Sequence, residues 1–234
     1  MASMKNLSGS DAAKKNAAEK ACELVTDGMI VGLGTGSTVA HSIRLLGRWV
    51  KEEGLNIVGV PTSYSTEALA IECGIPLTSL AASPVLDIAI DGADQVDASL
   101  NAIKGGGAAH TREKIVASSA KQFVIVADDK KFSSILDRSV PTEVLPYAVK
   151  LVEREILKLG GTCTVRTGTG KDGPIITDNG NFVLDCAFGQ IKEPALLGDK
   201  LSRIPGLVEH GIFTNAAMVY VGYENRVEVL RRKM

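Results

Sequence analysis

The sequence lacks any run of apolar residues approaching the roughly 20 that a membrane-spanning helix needs. It also lacks an excess of charge of either sign, since Lys and Arg together number 26 and Asp and Glu number 27. The resulting net charge of −1 gives no electrostatic reason to expect nucleic acid or an acidic membrane surface as a partner. We therefore expect neither a membrane nor nucleic acid among the partners of this protein.

Cysteine and histidine are also scarce. The four cysteines show no C-x-x-C spacing: Cys22, Cys73, Cys163 and Cys186. The three histidines lie far apart as well, so we expect no zinc site and no other metal. Scattered cysteines in a chain of 234 residues are typical of free thiols in a reducing compartment. Because the first residues also lack the apolar core of a signal peptide, we predict a cytoplasmic protein.

The first part of the chain alternates short apolar runs with helical patterns. The runs are "MIVGL", "NIVGV", "VLDIAI" and "FVIVA". Continuous apolar runs of this length are typical of strands that are buried on both faces of a parallel sheet. The alternation predicts an α/β fold, a Rossmann-like doubly wound parallel sheet.

The pattern changes near Val140 and Pro141. An amphipathic helix, "PYAVKLVEREILKLGG", is followed by the strand patterns "TCTVRT" and "FVLDCAF" and by another helix. This order predicts a second, smaller α+β domain over residues 139–211. The closing segments "AAMVYVGY" and "RVEVL" predict a hairpin that returns to the first sheet. We therefore predict a Rossmann-like catalytic domain over 1–138, completed by 212–234.

The first glycine-rich loop is "GLGTGST", between the first strand and a helix. It is not a dinucleotide fingerprint, because Ser37 stands where the third glycine is needed and "GVPTS" ends the second strand with hydroxyls instead of an acid. A Walker A lysine is also missing. The remaining feature is a helix N-terminus with the hydroxyls of Ser37 and Thr38, which favours an anion such as a phosphate monoester. The alternative is an ordinary strand–helix turn capped by a hydroxyl.

A second unusual stretch is "IAIDGADQVDASLNAIKGGGAAHTREKI". Asp91 ends a predicted strand at the edge where open α/β sheets bind ligands, and Asp94 follows in a loop. Lys104 precedes Gly105–Gly107, a run that can turn its N–H groups toward a substrate oxygen. Glu113 falls in the first turn of the next predicted helix. The stretch therefore gathers acids, a cation and amide donors at one sheet edge.

Each of these residues also has an ordinary explanation. Asp94 could cap a turn, Glu113 could complement the helix dipole and Lys104 could be solvated. We expect Thr111 to cap the helix that carries Glu113. Taken together with the first loop, however, the residues supply a base, further acids, a cation and N–H donors beside a phosphate. That combination suits proton removal next to a carbonyl in a phosphorylated sugar.

The segments "GLGTGST", "DGAD", "KGGGAAHTREK" and "VADDKK" together resemble ribose-5-phosphate isomerase of the A type. The similarity continues through "PTEVLP", "TDNGN" and "IPGLVEHGIF" and runs in order from about Lys14 to the end. One departure is Gln95, where the family often has Glu. The resemblance implies a Rossmann-like domain with a small α+β domain, no cofactor, and a homodimer or homotetramer.

The resemblance implies an isomerase that interconverts D-ribose 5-phosphate and D-ribulose 5-phosphate through an enediolate, in the non-oxidative branch of the pentose phosphate pathway. It implies that Glu113 is the base that moves a proton between C2 and C1. Lys104 and the glycine N–H groups would stabilise the oxyanion. Asp91 would assist ring opening, and Asp94 would orient the sugar.

The resemblance also implies a set of substrate-binding residues: Lys14, Thr35, Gly36, Ser37, Thr38, Gly92, Ala93, Gly105, Gly106, Gly107 and Lys131. Residues 35–38 would hold the phosphate, with Lys14 and Lys131 as counter-charges. Lys131 matches the family's lysine better than Lys130 does, by its spacing after "VAD". Cations are needed because a phosphate dianion beside several carboxylates would repel them by several kcal/mol at partial desolvation.

Three other classes of protein share this architecture: glucosamine-6-phosphate deaminases, CoA transferases and sugar-sensing effector domains of bacterial repressors. A CoA transferase would need a glutamate nucleophile and room for a much larger cofactor. An effector domain normally follows a DNA-binding helix-turn-helix, whereas a single helix precedes the first predicted strand. We therefore expect the isomerase activity rather than these alternatives.

Overall fold

The computed structural model describes residues 9–168, 170 and 172–232. The α helices of this part have the following bounds: α1 Gly9–Cys22, α2 Val39–Arg48, α3 Tyr64–Glu72, α4 His110–Ser119, α5 Val149–Lys158 and α6 Pro194–Leu201. The β strands have the following bounds: β1 Ile30–Leu33, β2 Val58–Pro61, β3 Ile88–Gly92, β4 Gln95–Val96, β5 Ala102–Ile103, β6 Phe123–Asp128, β7 Val140–Val144, β8 Thr162–Val165, β9 Phe182–Ala187, β10 Leu207–His210, β11 Ile212–Phe213, β12 Met218–Gly222 and β13 Val227–Arg231.

The central sheet has six strands in the order β13-β12-β6-β3-β1-β2. All neighbouring pairs are parallel except β12 and β13, which form an antiparallel hairpin at one edge. The predicted apolar runs form these strands because helices cover both faces of the sheet, so that each strand must be apolar on both sides. Every residue of β6 and β12 is buried. The predicted Rossmann-like fold class is confirmed.

Alternate residues of the central strands belong to two separate cores. On β3, Ile88 and Ile90 pack into the core under α1, α2 and α3, whereas Ala89 packs into the core under α4. This follows from the two-residue period of a strand, which sends successive side chains to opposite faces. The alanine-rich α1 lies especially close to the sheet, because a Cβ at Gly222 would stand only 1.9 Å from the Ala13 carbonyl oxygen. Close packing of α1 holds Lys14 at the edge of the sheet.

A second sheet has four antiparallel strands in the order β10-β7-β9-β8. Helix α5 packs on it through Val152 and Ile156, which are fully buried in a third core. Three two-residue strands, absent from the sequence prediction, also form a small sheet in the order β11-β5-β4. The division into domains over 1–138 with 212–234 and over 139–211 stays a prediction, and residues 1–8, 169, 171, 233 and 234 of it lie outside the described part.

No helix in the described ranges is long and apolar enough to cross a membrane.

Candidate active site

A cleft opens at the carboxyl ends of β1 and β3, the edge where open α/β sheets bind ligands. It contains about 550 Å³ of empty space, counting its open mouth. Its lining residues are Lys14, Thr35, Gly36, Ser37, Thr38, Gly92, Ala93, Asp94, Lys104, Gly105, Gly106, Gly107, Glu113 and Lys131. The structure thus brings together all the residues proposed from the sequence except Asp91, which lies directly behind the lining.

Lys104 is the centre of a buried charge cluster. Its Nζ lies 3.0 Å from Oδ2 of Asp91 and 3.2 Å from Oε2 of Glu113. It also donates a hydrogen bond of 2.6 Å to the carbonyl oxygen of Gly92, and the ring of Phe213 lies 5.4 Å away. The three charged residues are between 2% and 4% exposed. Two carboxylates and one ammonium group therefore share a volume from which water is almost excluded.

This arrangement makes Glu113 unusually basic. Burial raises its pKa to about 8, and the negative charge of Asp91 adds to the increase, while Lys104 opposes it. Oε2 of Glu113 is buried and has no hydrogen-bond partner in the described part of the chain, since Lys104 lies at ion-pair distance but off the hydrogen-bond direction. For Lys104, burial alone would lower the pKa, but the charges of Asp91 and Glu113 outweigh it and raise the pKa. The lysine stays protonated beside a carboxylate that can exchange a proton near neutral pH.

Asp91 links the two loops predicted from the sequence. Its Oδ1 accepts hydrogen bonds from the N–H groups of Thr35, at 3.1 Å, and Gly92, at 2.7 Å. The Asp91 carboxylate also leaves no room for a side chain at Gly34, since a Cβ there would lie 2.2 Å from Oδ1 of Asp91. One carboxylate thus fixes the first glycine loop and holds Lys104.

The hydroxyl of Thr35 is engaged within the protein. It lies 2.7 Å from the hydroxyl of Thr62, 2.8 Å from that of Ser63 and 3.1 Å from that of Thr66. Thr66 in turn donates to the carbonyl oxygen of Gly34 at 2.8 Å. Sequence reasoning noted the hydroxyls of "GVPTS" only as a failure of the dinucleotide pattern. The structure shows that they hold the first glycine loop in place.

The first glycine loop ends in backbone N–H groups that have no hydrogen-bond acceptor within the described part of the protein. In the described ranges, no backbone acceptor contacts the N–H of Ser37 or Thr38, and the side chain of Thr38 makes no capping hydrogen bond to α2. Lys14 and Lys131 also line the cleft, and neither has an ion-pair partner among the residues described. Unpaired N–H groups at a helix N-terminus beside two ammonium groups are the groups that an anion-binding site requires.

The second glycine loop is tied to Asp94. The N–H of Gly106 donates to Oδ2 of Asp94 at 2.7 Å, and a Cβ at Gly106 would collide with the same carboxylate. Gly105 has a φ of +108°, a backbone conformation that favours glycine. These contacts explain why a glycine run follows the lysine.

The expected helix cap at Thr111 is wrong. Helix α4 begins at His110, and Ala109, two residues before Thr111, occupies the cap position without a side-chain bond. The Thr111 hydroxyl instead donates to Glu143 of β7, because that fully buried carboxylate lies against the first turn of α4. The side chains of Asn179 and Asn181 also donate to Glu143. Burial opposes ionisation of Glu143, but these hydrogen bonds outweigh it and lower its pKa.

Sequence reasoning missed this Glu143 cluster, which ties the second sheet to the helix that carries Glu113. The available signal was the pair of segments "PTEVLP" and "TDNGN", which contributed only to the family resemblance. Within the described part of the chain, no group of three His, Cys, Asp or Glu side chains is arranged to hold a metal ion.

Fold and cleft together define a class of protein, an α/β protein whose cleft combines unpaired N–H groups at a helix N-terminus with a buried carboxylate and ammonium. Comparison with known proteins gives the family. The family model described as ribose 5-phosphate isomerase A (phosphoriboisomerase A) matches residues 58–226. This chain belongs to the ribose-5-phosphate isomerase A family, as the resemblance in its sequence motifs predicted.

Individual relatives agree with this assignment. The chain is 57% identical to ribose-5-phosphate isomerase A of Methanosarcina acetivorans over 230 residues, which cover 98% of each chain. It superimposes with a TM-score of 0.91 on ribose 5-phosphate isomerase A of Methanocaldococcus jannaschii, at 43% identity over 96% of this chain and 100% of that one. A D-ribose-5-phosphate isomerase in complex with phospho-erythronic acid gives a TM-score of 0.93 at 44% identity, covering 97% and 100% of the two chains.

Proposed function

We propose that this protein is an aldose–ketose isomerase that interconverts D-ribose 5-phosphate and D-ribulose 5-phosphate through an enediolate, in the non-oxidative branch of the pentose phosphate pathway. The observation that carries the proposal is the buried Glu113 beside Lys104, in a cleft whose other end offers free amides and lysines to an anion. Family membership and the phospho-erythronic acid complex of a related isomerase support a sugar phosphate as substrate.

Glu113 is the proposed base. Its raised pKa of about 8 makes the ionised carboxylate a strong enough base to remove the C2 proton, and its protonated form a suitable donor to C1. One carboxylate can serve both carbons because they are adjacent and the proton stays on one face of the enediolate. Oε2 is buried 3.2 Å from Nζ of Lys104, which leaves Oε1 as the oxygen that can face the substrate and exchange that proton.

Lys104 is the proposed stabiliser of the oxyanion that develops during proton transfer. Because it is already held by Asp91 and by the carbonyl oxygen of Gly92, its ammonium group needs no reorganisation when charge appears on the substrate. N–H groups of the glycine run at 105–107 line the same part of the cleft and add donors.

The phosphate is proposed to lie at the N-terminus of α2, held by the amides and hydroxyls of Ser37 and Thr38 with Lys14 and Lys131 as counter-charges. Asp94 lines the cleft and is proposed to orient the sugar. Asp91 is proposed to serve ring opening from behind the lining, where it reaches the cleft through Lys104.

One experiment tests the proposal directly. Incubation with D-ribose 5-phosphate in deuterated water should give the ketose with deuterium at C1, because the base exchanges its proton with solvent during turnover. The variant Glu113→Gln should give neither product nor exchange, while inorganic phosphate still binds. Unchanged activity after treatment with a chelator is also expected. Product without any solvent deuterium, together with loss of activity on chelation, would indicate a metal-assisted hydride shift and contradict the proposal.

The assembly and location of the protein are also proposed rather than observed. We propose a homodimer or homotetramer in the cytoplasm that needs no cofactor. Free cysteines and the family resemblance support this, and Tyr147, fully exposed next to the half-exposed Leu145, offers apolar surface to a second copy. Sedimentation equilibrium of the wild-type protein would measure the number of subunits.

A further inference from the structure

Arg166 contacts the second glycine loop from the second sheet. It follows β8 and is only 15% exposed at its side chain. Its Nη1 donates to the carbonyl oxygens of Gly105, at 2.8 Å, and Gly106, at 3.1 Å. The other edge of the guanidinium is held by Asp185 of β9, which accepts from both Nε and Nη2. One side chain thus connects the β8–β9 pair to the backbone of the second glycine loop.

The contact determines where the glycine amides point. In a trans peptide the C=O and the N–H project in opposite directions, and no cis peptide occurs in the described residues. Because Arg166 holds the carbonyl oxygens of Gly105 and Gly106 on its own side, the N–H groups of Gly106 and Gly107 project to the other side. The first donates to Asp94 at 2.7 Å, which agrees with this geometry. The second lines the cleft and has no protein acceptor in the ranges described.

The glycine run needs a contact from outside the loop, such as that of Arg166, to fix its conformation. A run of three glycines has no side chains to fix its peptide planes, and it loses more conformational freedom on ordering than any other sequence. Within the loop the described backbone bond is from the N–H of Ala108 to the carbonyl oxygen of Gly105, at 3.0 Å. That bond does not involve the peptide group between Gly106 and Gly107, whose carbonyl oxygen is held by Arg166 alone among the described residues.

We propose that Arg166, oriented by Asp185, is a positioning residue that fixes the glycine turn so that the Gly107 N–H faces the substrate oxygen that becomes negative. The inference rests on the proposed isomerase function and deepens it. The guanidinium lies behind the turn and does not touch the substrate. Its positive charge on the carbonyl side also polarises both peptides, which strengthens their N–H groups as donors.

The test compares three variants with a matched control. Arg166→Met removes every donor, Arg166→Lys keeps the charge but not the two-edged geometry, and Asp185→Asn keeps Arg166 but weakens its orientation. The control is Arg154→Met, which removes an exposed arginine of α5 whose partner is the neighbouring Glu155. For each protein, kcat, KM and the thermal midpoint are measured. The binding of phospho-erythronic acid is compared with that of inorganic phosphate.

Arg166→Met is expected to lower kcat by about tenfold or more, since a misdirected oxyanion donor affects the transition state rather than the ground state. KM should change by less than about threefold. Binding of phospho-erythronic acid, which places a carboxylate where the enediolate would form, should weaken along with kcat, while binding of inorganic phosphate stays unchanged. Arg166→Lys and Asp185→Asn should have intermediate effects, and they carry the test if Arg166→Met fails to fold. Arg154→Met should match the wild type.

Two results would overturn the proposal. One is a lower thermal midpoint with kcat and analogue binding unchanged, which would make Arg166 a structural link between strands. The other is an equal loss of phosphate and analogue binding, which would indicate a general distortion of the cleft. A wild-type protein without isomerase activity would contradict the proposed function, and the two binding measurements would then still decide the role of Arg166.

Discussion

Replacing Glu113 with glutamine should make the folded protein more stable at neutral and alkaline pH while it abolishes turnover. Glutamine has nearly the same shape as glutamate but cannot ionise. The wild-type carboxyl group is buried next to Asp91, so its negative charge is costly in the folded state and free of that cost in the unfolded chain. Removing the ionisable group at position 113 thus relieves an electrostatic penalty, which is the reverse of what most buried substitutions do.

The size of the effect follows from the pKa of Glu113, which rises from an ordinary 4.5 to about 8 on folding. One pKa unit corresponds to about 1.4 kcal/mol, so the penalty is at most about 5 kcal/mol once the group is ionised in both states. Because folding raises the pKa of Glu113, ionisation of this group destabilises the folded protein. The wild type keeps its full stability below the unfolded-state pKa, becomes less stable as the pH rises toward the folded-state pKa, and shows no further loss from this group above that pKa. At pH 7 the loss amounts to about 3 kcal/mol.

The assay is chemical denaturation of wild type and Glu113→Gln at a series of pH values from about 5 to about 9, with the difference in unfolding free energy taken at each pH. Titrating groups outside the Asp91–Lys104–Glu113 cluster cancel in that difference. Loss of the contact between Glu113 and Lys104 adds a constant to the difference in unfolding free energy. This constant does not vary with pH because Lys104 stays protonated throughout. The control is Glu155→Gln, at a partly exposed glutamate on α5 that pairs with Lys158; the lysine lowers the pKa of that carboxyl, so it stays ionised over this range and should give a flat difference.

A difference that does not change between about pH 5 and about pH 8 would refute this reasoning, since it would mean that Glu113 ionises at its ordinary pKa. The proposed base would then lack the basicity that burial is argued to provide.

Three further predictions concern the same cleft. Lys104→Met should lower kcat by about a hundredfold with a smaller change in KM, because its ammonium group meets a charge that exists fully only in the transition state, and a change in KM alone would contradict this. For the wild type, kcat/KM should fall about tenfold per pH unit below about pH 8 as Glu113 takes up its proton, and a profile flat down to about pH 5 would exclude Glu113 as the titrating base. Lys14→Met combined with Lys131→Met should raise KM by about tenfold or more with little effect on kcat, and the wild-type KM should rise with added salt while that of the variant responds less.

Sequence patterns predicted the central sheet well, because strands covered on both faces must be continuous apolar runs. They did not predict the two-residue strands Gln95–Val96 and Ala102–Ile103. Such short strands carry no periodicity of their own. They form because Ile212–Phe213, more than a hundred residues away, supplies the third member of their sheet.

The same distinction holds within the cleft. The residues proposed to act on the substrate stand in compact segments with unusual composition, so that acids and glycines in an apolar context drew attention to them. The residues that hold them are distant and ordinary in sequence. Arg166 is 60 positions from Gly106, and Glu143 is 32 positions from Thr111. No local pattern distinguishes such residues from surface charges.

The sequence by itself determined the order of buried strands, the two loops at their carboxyl ends and the chemical groups available there, because hydrophobic periodicity and glycine placement are local properties. Only the tertiary structure decided how basic Glu113 is and which way the glycine amides point. Both depend on groups brought together from distant parts of the chain: Asp91 and Lys104 in a space without water for the first, and the guanidinium of Arg166 for the second. Desolvation and orientation exist only after the chain has folded.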